Sequence, residues 1–198
     1  MPESRPEKGT LGFQRFLWDI RYRRDRFRQA LGVFYALVVA LLGAPPPHWF
    51  WTGVPLVVLG ILVRLWASGH VKKDKVLATD GPYGFVRHPL YVGNLLISFG
   101  FAISSALWWA LPVLIIFLLL FYPPAIRQED AKLRDLFREQ WVPWRARTRA
   151  LWPRLRPYGH GQRSQWSLRQ SLMQNGEPLI AIFLILLMYN LFLAIVVV

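Results

Sequence analysis

The chain has 198 residues, of which 54% are hydrophobic, and its 24 Lys and Arg against 11 Asp and Glu give a formal net charge of +13. It contains no cysteine, which excludes a disulfide framework, a thiolate zinc site and a cysteine nucleophile. The length suits one compact domain, and the strong basicity taken alone would suggest a nucleic-acid ligand.

The distribution of charge changes that interpretation. The basic residues all lie in three blocks, and the stretches between them carry almost no charge; the blocks are 1–29, 64–90 and 125–175. A helix that crosses a bilayer needs about 20 mainly apolar residues. Two of the uncharged stretches are too long for one span and contain a break, at Pro45–Pro47 and at Ser104-Ser105. We therefore expect an all-α, polytopic membrane bundle of five transmembrane helices with additional amphipathic helices.

In chain order, residues 1–28 are expected to form a cytoplasmic segment with an amphipathic helix around 13–20, where apolar residues recur at helical spacing. A second amphipathic helix is expected to leave the fourth span, and residues 154–177 are expected to form a polar linker. The core domain is predicted at 29–153. The predicted spans are 29–46, 51–68, 90–104, 107–124 and 178–198.

The positive-inside rule predicts which side of the membrane each end of the chain faces. Five spans place the N-terminus and all three basic blocks on one side, which the rule assigns to the cytoplasm, and the C-terminus on the other. The two connections on the opposite side carry no Lys or Arg and several Trp. No signal peptide is evident, and we expect a prokaryotic inner membrane. The charge then faces anionic lipid headgroups, and nucleic acid is not an expected partner.

Residues that could take part in binding or catalysis concentrate at the expected cytoplasmic ends of the spans. Gly81-Pro82 indicates a turn, and Arg87-His88-Pro89 opens the third span with proline near the first helical position. A helix N-terminus favours an anionic ligand. Glu129-Asp130 follows the fourth span, where carboxylates are costly unless they are exposed or paired. Both clusters also suit a plainer role, as headgroup anchors and as a solvated turn, and the spacing alone does not decide.

The motif pair resembles a known family. Gly81-Pro82-Tyr83, then Arg-His-Pro-x-Tyr-x-Gly at 87–93, then a hydrophobic helix pair and an acidic pair resemble the isoprenylcysteine carboxyl methyltransferases, which grade into the phospholipid methyltransferases. The similarity covers about residues 55–153. Three departures stand out: Arg138 replaces a glycine, Trp141 and Trp144 replace tyrosines, and Ala125 stands where the eukaryotic enzymes have a substrate-side arginine.

The resemblance implies an integral-membrane methyltransferase that uses S-adenosyl-L-methionine and needs no metal. It also implies the site residues. The implied cofactor contacts are His70 (within an ambiguous stretch from Ser68), Lys75, Val76, Leu77, Ala78, Tyr83, His88, Pro89, Leu90, Tyr91 and Glu129. Arg127 and Glu129 are the expected catalytic residues, since Arg127 suits a carboxylate or phosphate and Glu129 can accept a proton.

The acceptor is expected to be lipophilic or embedded in the membrane. Carboxyl O-methylation of an isoprenylcysteine-like substrate is favoured by resemblance, with N-methylation of a phosphatidylethanolamine-type headgroup as the alternative. Two further readings stay open at this point: an NADPH-dependent reductase of lipid double bonds, and a non-catalytic basic protein that binds anionic lipids.

Overall fold

The computed structural model describes residues 24–70, 76–159, 166–173 and 176–197. The chain divides into two units, Met1–Tyr35 and Ala36–Val198, and the second contains the candidate site. The predicted amphipathic helix around 13–20 lies outside the described residues. The helices are α1 (Arg24–Leu42), α2 (Pro47–His70), α3 (Pro82–Phe85), α4 (Pro89–Ser104), α5 (Ala110–Arg147), α6 (Leu168–Met173) and α7 (Glu177–Val197).

The described residues confirm the all-helical prediction, since they contain no strand beyond one isolated bridge between Val86 and Arg149. Three helices, α2, α5 and α7, are long and apolar enough to cross a membrane, whereas α4 and the apolar part of α1 are shorter. The predicted breaks are present, because α1 ends before the triple proline and α4 ends at Ser104. Five spans remain a prediction.

Two regions differ from their predicted form. The amphipathic helix expected after the fourth span is continuous with that span in α5, and the helix kinks only at Arg138, where φ is 25° and ψ is −91°. Residues 154–177 were expected to be a linker but include α6. There the Ser167 side chain accepts a hydrogen bond from the Gln170 backbone N–H at 3.4 Å, the arrangement of an N-cap. The Ser-x-x-Gln spacing is a capping signal in the sequence.

Helices α2 and α4 pack in antiparallel contact through glycines. A Cβ atom added at Gly60 would lie 2.7 Å from the Gly93 carbonyl oxygen, and one added at Gly100 would lie 2.9 Å from that of Gly53. Small residues of this kind let two backbones approach closely, which is the common basis of helix association in membranes. This contact fixes the start of α4 beside the end of α2.

Helix α7 runs antiparallel to α2 and contacts both of its ends. At one end Glu177 pairs with Arg64, and at the other the ring centroids of Phe192 and Phe50 lie 5.9 Å apart. The end that holds the Arg64–Glu177 pair is also where α3, the start of α4 and the second half of α5 meet. We call it the site end.

Candidate active site

The turn that leads into α4 is held by the segment that follows α5. The backbone N–H of Arg87 donates to the carbonyl oxygen of Arg149 at 2.9 Å, and that of His88 donates to the carbonyl oxygen of Ala150 at 3.1 Å. The next residue, Pro89, is buried at the first position of α4 and has no N–H to satisfy. Arg87 and His88 therefore enter the site end in a fixed orientation.

Asp130 of α5 receives both of these side chains. Nη2 of Arg87 donates to Oδ2 of Asp130 at 3.0 Å, and Nε2 of His88 lies 3.1 Å from Oδ1. Nη1 of Arg87 also donates to the carbonyl oxygen of Thr148 at 2.6 Å. The two clusters that the sequence singled out, one on each side of a helix pair, thus form one network.

The network keeps Asp130 ionised. Burial by itself would raise the pKa of this carboxyl, because desolvation disfavours the charged form. The hydrogen bond and attraction of His88, followed by those of Arg87, outweigh burial and hold the pKa of Asp130 below its ordinary value of 3.8. Asp130 lies beyond the uncharged part of α5, so it acts as a paired anchor for Arg87 and His88 and is not poised to accept a proton.

Glu129 is the less engaged carboxylate of the acidic pair. Its side chain is 46% exposed, and Oε2 lies 3.7 Å from Nδ1 of His88, which is an ion-pair distance too long for a hydrogen bond. His88 is nearly fully buried between the two acids. Glu129 therefore keeps carboxylate oxygens available beside an oriented imidazole, as expected for a residue that contacts a ligand.

Tyr83 lies inside the site end. It is buried in an apolar cluster with Leu77 and Trp144, and the indole N–H of Trp144 donates to its carbonyl oxygen at 3.0 Å. Burial raises the pKa of the Tyr83 phenol, and the nearby charge of Glu129 raises it further. The phenol is therefore a neutral hydrogen-bonding group close to Glu129.

The remaining predicted cofactor contacts divide into three sets. Leu77 is buried, with Ala78 and Leu90 packed against the same cluster, while Val76 is partly exposed. Lys75 lies outside the described residues. Tyr91 is buried beneath the network, with its ring centroid 5.5 Å from that of His88 and 5.3 Å from that of Tyr122.

His70 closes the end of α2 and is also mostly buried. Its Nδ1 lies 3.7 Å from Oδ2 of Asp80, in the loop that leads to α3. Gly81 follows with φ of 51°, and a Cβ atom there would lie 2.5 Å from Nε2 of His70. The loop therefore passes directly over the imidazole, which explains the glycine.

Arg127, the second expected catalytic residue, has a different setting. Its side chain is exposed, and the described residues form no hydrogen bond or ion pair with it. Ala125 is buried against Tyr91 and Tyr122, where a long charged side chain would have to displace aromatic rings. Neither position presents a guanidinium to the Arg87–His88–Asp130 network.

Three buried polar atoms near this network have no hydrogen-bond partner among the described residues: Nε of Arg87, Oγ1 of Thr79 and Nε1 of Trp141. Buried donors without a partner are costly, and they often mark the place of a ligand or a water. In the same part of the chain no group of three or more His, Asp or Glu side chains is arranged to hold a metal ion.

Two elements of the site end escaped the sequence analysis. The segment from Thr148 to Ala150 carries backbone acceptors, which leave no pattern in side-chain identity. Arg64 and Glu177 form a buried ion pair at the site end. Each of these charges stands at the edge of an apolar stretch and could have been noticed in the sequence. That the two residues pair across 113 positions could not be inferred from one sequence.

Comparison with known proteins confirms the resemblance. Residues 49–140 match the phospholipid methyltransferase family. The matched segment contains nearly all of α2, all of α3 and α4 and most of α5, and so includes Tyr83, His88, Glu129 and Asp130. With three helices that are apolar and long enough to cross a bilayer, this match indicates an integral membrane protein.

Two relatives of the chain are named as metal resistance proteins. The chain is 38% identical over 124 residues to the cobalt-zinc-cadmium resistance protein CzcN of Cupriavidus metallidurans, covering 62% of this chain and 55% of that protein. It is 32% identical over 142 residues to the nickel-cobalt-cadmium resistance protein NccN of Alcaligenes xylosoxydans xylosoxydans, covering 65% and 66%. The matches thus span between half and two thirds of these relatives. No solved structure is significantly similar.

Proposed function

We propose that this chain transfers the methyl group of S-adenosyl-L-methionine to a lipophilic acceptor in the membrane. The observation that carries the proposal is the contact of Arg87 and His88 with Asp130, beside the half-exposed Glu129, inside the segment that matches a methyltransferase family. A role that is only structural would not require a carboxylate left accessible next to an oriented, buried imidazole.

The residues present fit S-adenosyl-L-methionine, which offers a carboxylate, an ammonium, ribose hydroxyls and adenine ring nitrogens. The unpartnered donors of Arg87, Thr79 and Trp141 suit the carboxylate, hydroxyl and ring-nitrogen acceptors. Glu129 suits the ammonium or the ribose hydroxyls. The other residues that would hold it are the contacts implied by the family resemblance: His70, Lys75, Val76, Leu77, Ala78, Tyr83, His88, Pro89, Leu90 and Tyr91.

Bound there, S-adenosyl-L-methionine would supply an electrophilic methyl group: the acceptor atom bonds to the methyl carbon as the bond from that carbon to sulfur breaks, and S-adenosyl-L-homocysteine leaves. The chain contributes alignment, and correct positioning alone is worth about 7–11 kcal/mol. Asp130 fixes Arg87 and His88, and the buried Tyr83 cluster excludes water from the inner side. A water-poor site favours the neutralisation of opposite charges.

For the acceptor we propose a carboxylate of an isoprenylcysteine-like molecule. A carboxylate attacks without losing a proton, and Asp130 is held ionised in its pair and is unavailable as a base. The second candidate is the amine of a phosphatidylethanolamine-type lipid, favoured by the description of the matched family. The amine would need to pass a proton to Glu129, so the two acceptors predict different effects of Glu129→Gln on turnover.

The test is calorimetric titration of the detergent-solubilised protein with S-adenosyl-L-methionine. We expect binding to the wild type, at least tenfold weaker binding to Glu129→Gln and His88→Ala, and unchanged binding to Asp135→Asn, a matched substitution of an exposed acid on α5. A folded wild type that does not bind would overturn the proposal. Methyl transfer to the carboxylate of an S-prenylated cysteine and to phosphatidylethanolamine then identifies the acceptor class.

We also propose five spans with the site end in the cytoplasm, against anionic headgroups. The absence of native cysteine makes this directly testable by single-cysteine labelling in spheroplasts. A cysteine at the exposed Ala106, between α4 and α5, should react with an impermeant maleimide. One at the exposed Lys132 should react only after permeabilisation. The reverse pattern would refute the orientation.

The names of the two relatives lead us to propose that the methyl transfer serves metal tolerance. Carboxylates and amines bind divalent transition metals, and methylation of either at a lipid changes that capacity. We expect the wild-type chain, but not Glu129→Gln, to raise the growth-inhibiting concentration of cadmium or cobalt in a sensitive bacterial host. If the wild type and Glu129→Gln gave equal tolerance, metal tolerance would not depend on methyl transfer and this proposal would be wrong.

A further inference from the structure

Arg64 and Glu177 form a buried ion pair at the site end. Nε of Arg64 donates to Oε2 of Glu177 at 2.9 Å and Nη2 donates to Oε1 at 2.7 Å, so the carboxylate is bound by both oxygens. Nη1 of Arg64 also donates to Oδ1 of Asn94. The exposed fractions of the two charged side chains are 14% and 6%. Three helices, α2, α4 and α7, therefore converge on one guanidinium.

The motif that opens α4 makes room for this guanidinium. A Cβ atom added at Gly93 would lie 2.5 Å from Cγ of Arg64, so any larger residue would displace the arginine stem. Gly93 ends the Arg-His-Pro-x-Tyr-x-Gly motif, and Asn94 is its next neighbour. His88, which directly precedes α4, and the residues that house Arg64 are thus parts of the same short segment at the start of α4.

The pair is also connected to the predicted ligand contacts, because Asn94, which accepts from Arg64, lies one turn after Leu90 in α4. After burial and Glu129, the charges of Glu177 and Arg64 are the groups that act on the pKa of the Tyr83 phenol. Tyr83 thus lies within electrostatic range of Glu129 and of the Arg64–Glu177 pair. The pair borders the candidate site, although Glu177 lies outside the segment that matches the family.

Helix attachment alone is a weak reason for this arrangement. Burying two charges costs several kcal/mol, and apolar residues of similar size usually hold two helices at least as well. A guanidinium has five N–H donors, of which Glu177 takes two and Asn94 takes one. Among the described residues no acceptor takes the other two.

We propose that Arg64, positioned by Glu177 and Asn94, uses its two remaining N–H donors to bind the anionic group of the lipid acceptor, a carboxylate or a phosphate. The inference rests on the proposed function and gives the acceptor side of the site a cation that Ala125 and the exposed Arg127 do not provide. Arg64 is then an acceptor-binding residue, and Glu177 and Asn94 are positioning residues. Paired planar donors suit both oxyanions.

The experiment uses the full chain in phosphatidylcholine nanodiscs, with N-acetyl-S-farnesylcysteine as the carboxylate probe and phosphatidylethanolamine as the phosphate probe. Arg64→Gln combined with Glu177→Gln removes both charges and keeps hydrogen-bonding groups. We expect KM for the true acceptor class to rise at least tenfold, while kcat and the Kd for S-adenosyl-L-methionine stay within twofold. Which probe shows the rise identifies the anion.

Two further variants keep the test decisive. Arg64→Lys retains the charge and loses the paired donors, so KM should rise even if the double variant does not fold. Arg134→Gln with Asp135→Asn removes an exposed ion pair on α5 and should leave every constant unchanged. If a folded Arg64 variant lowers Tm but leaves KM unchanged, the pair is only structural and the inference is wrong.

Failure of the proposed function gives a different result. A wild type that binds no S-adenosyl-L-methionine refutes methyl transfer, whatever Arg64 does. Equilibrium binding of radiolabelled N-acetyl-S-farnesylcysteine or phosphatidic acid to the same nanodiscs still measures the anion site without turnover. Tenfold weaker binding to the Arg64→Lys variant supports the Arg64 site, and equal binding of both probes to wild type and variant overturns it.

Discussion

Arg87 binds Asp130 across 43 residues of sequence, with Nη2 3.0 Å from Oδ2 and both side chains largely buried. The contact joins the start of α4 to the part of α5 that lies beyond the span. It also places the imidazole of His88 next to Glu129. The geometry of the candidate site therefore depends on the carboxylate of Asp130.

Asp130→Asn should destabilise the protein more than the loss of an ordinary surface pair. Removing one partner of a largely buried pair leaves Arg87 and His88 uncompensated, and we expect a loss of about 1–3 kcal/mol for a pair at the edge of the interior. Asp135→Asn, in a pair with side chains 60% and 74% exposed, should cost at most about 0.5 kcal/mol. Thermal denaturation in detergent compares the two, and equal losses would contradict the prediction.

The same pair predicts a pH dependence. The folded-state pKa of Asp130 is lower than its ordinary value of 3.8, so the stabilisation is complete above that value and is lost as pH falls through the folded pKa. The Tm difference between wild type and Asp130→Asn should therefore persist down to about pH 5 and shrink below about pH 4. A difference that disappears between pH 6 and 5 would show that the network does not hold the carboxyl ionised.

Trp141 and Trp144 offer a matched comparison. The Trp144 indole N–H donates to the Tyr83 carbonyl, whereas that of Trp141 is buried without a partner. Replacing either by Phe removes the same volume and keeps an aromatic ring, including the one that faces the Arg145 guanidinium at Trp141, so the comparison centres on the N–H. Trp144→Phe should lose about 1 kcal/mol more stability, and Trp141→Phe should weaken S-adenosyl-L-methionine binding by roughly 3–10-fold. Unchanged affinity in Trp141→Phe would remove this donor from the ligand site.

Gly81→Ala tests the loop over His70. Alanine would be strained at φ of 51°, and its Cβ would meet the imidazole at 2.5 Å. Gly159→Ala shares a positive φ, of 74°, but its nearest neighbour is 3.9 Å away. Strain alone costs about 1–3 kcal/mol, so Gly81→Ala should lose clearly more than Gly159→Ala in thermal denaturation. Similar losses would mean that His70 moves without cost.

Arg138→Gly should stabilise the protein. Arg138 has φ of 25° at the kink of α5, where a positive φ strains arginine more than glycine, and the family that the sequence resembles has glycine at this position. We expect a gain of about 1 kcal/mol, whereas Arg134→Gly, one turn earlier in regular helix, should lose about 1 kcal/mol. Melting temperatures of the two variants should therefore move in opposite directions, and a loss in both would contradict strain at the kink.

The sequence predicted the helices better than their ends. Uncharged stretches and proline breaks located all five apolar helices, because lipid imposes long apolar runs. The continuation of the fourth span into its amphipathic helix was not predictable in this way, since a change from apolar to charged composition resembles a helix end. The kink at Arg138 carried no local signal, because arginine is an ordinary helix residue.

The site was predictable where the chemistry is concentrated in short motifs. Arg87, His88 and Glu129 were identified from local patterns, and their contact follows from the fold. Asp130 was recognised as one of an acidic pair. Which of the two acids is paired and which stays accessible depends on the distances from their carboxylate oxygens to the side-chain nitrogens of Arg87 and His88, which the sequence does not give. The Arg64–Glu177 pair depends on tertiary packing between residues 113 positions apart. A single sequence does not show which distant residues are in contact.

That separation has a consequence for biosynthesis. Arg64 enters the membrane region early, and its counter-charge is made 113 residues later. At about 5–20 residues per second, the arginine waits roughly 6–23 s for its partner. During this interval the uncompensated charge disfavours close packing of the first helices, so the interior around Arg64 is complete only once α7 has been made. A chain cut short before Glu177 would therefore keep an unpaired arginine in an otherwise apolar helix.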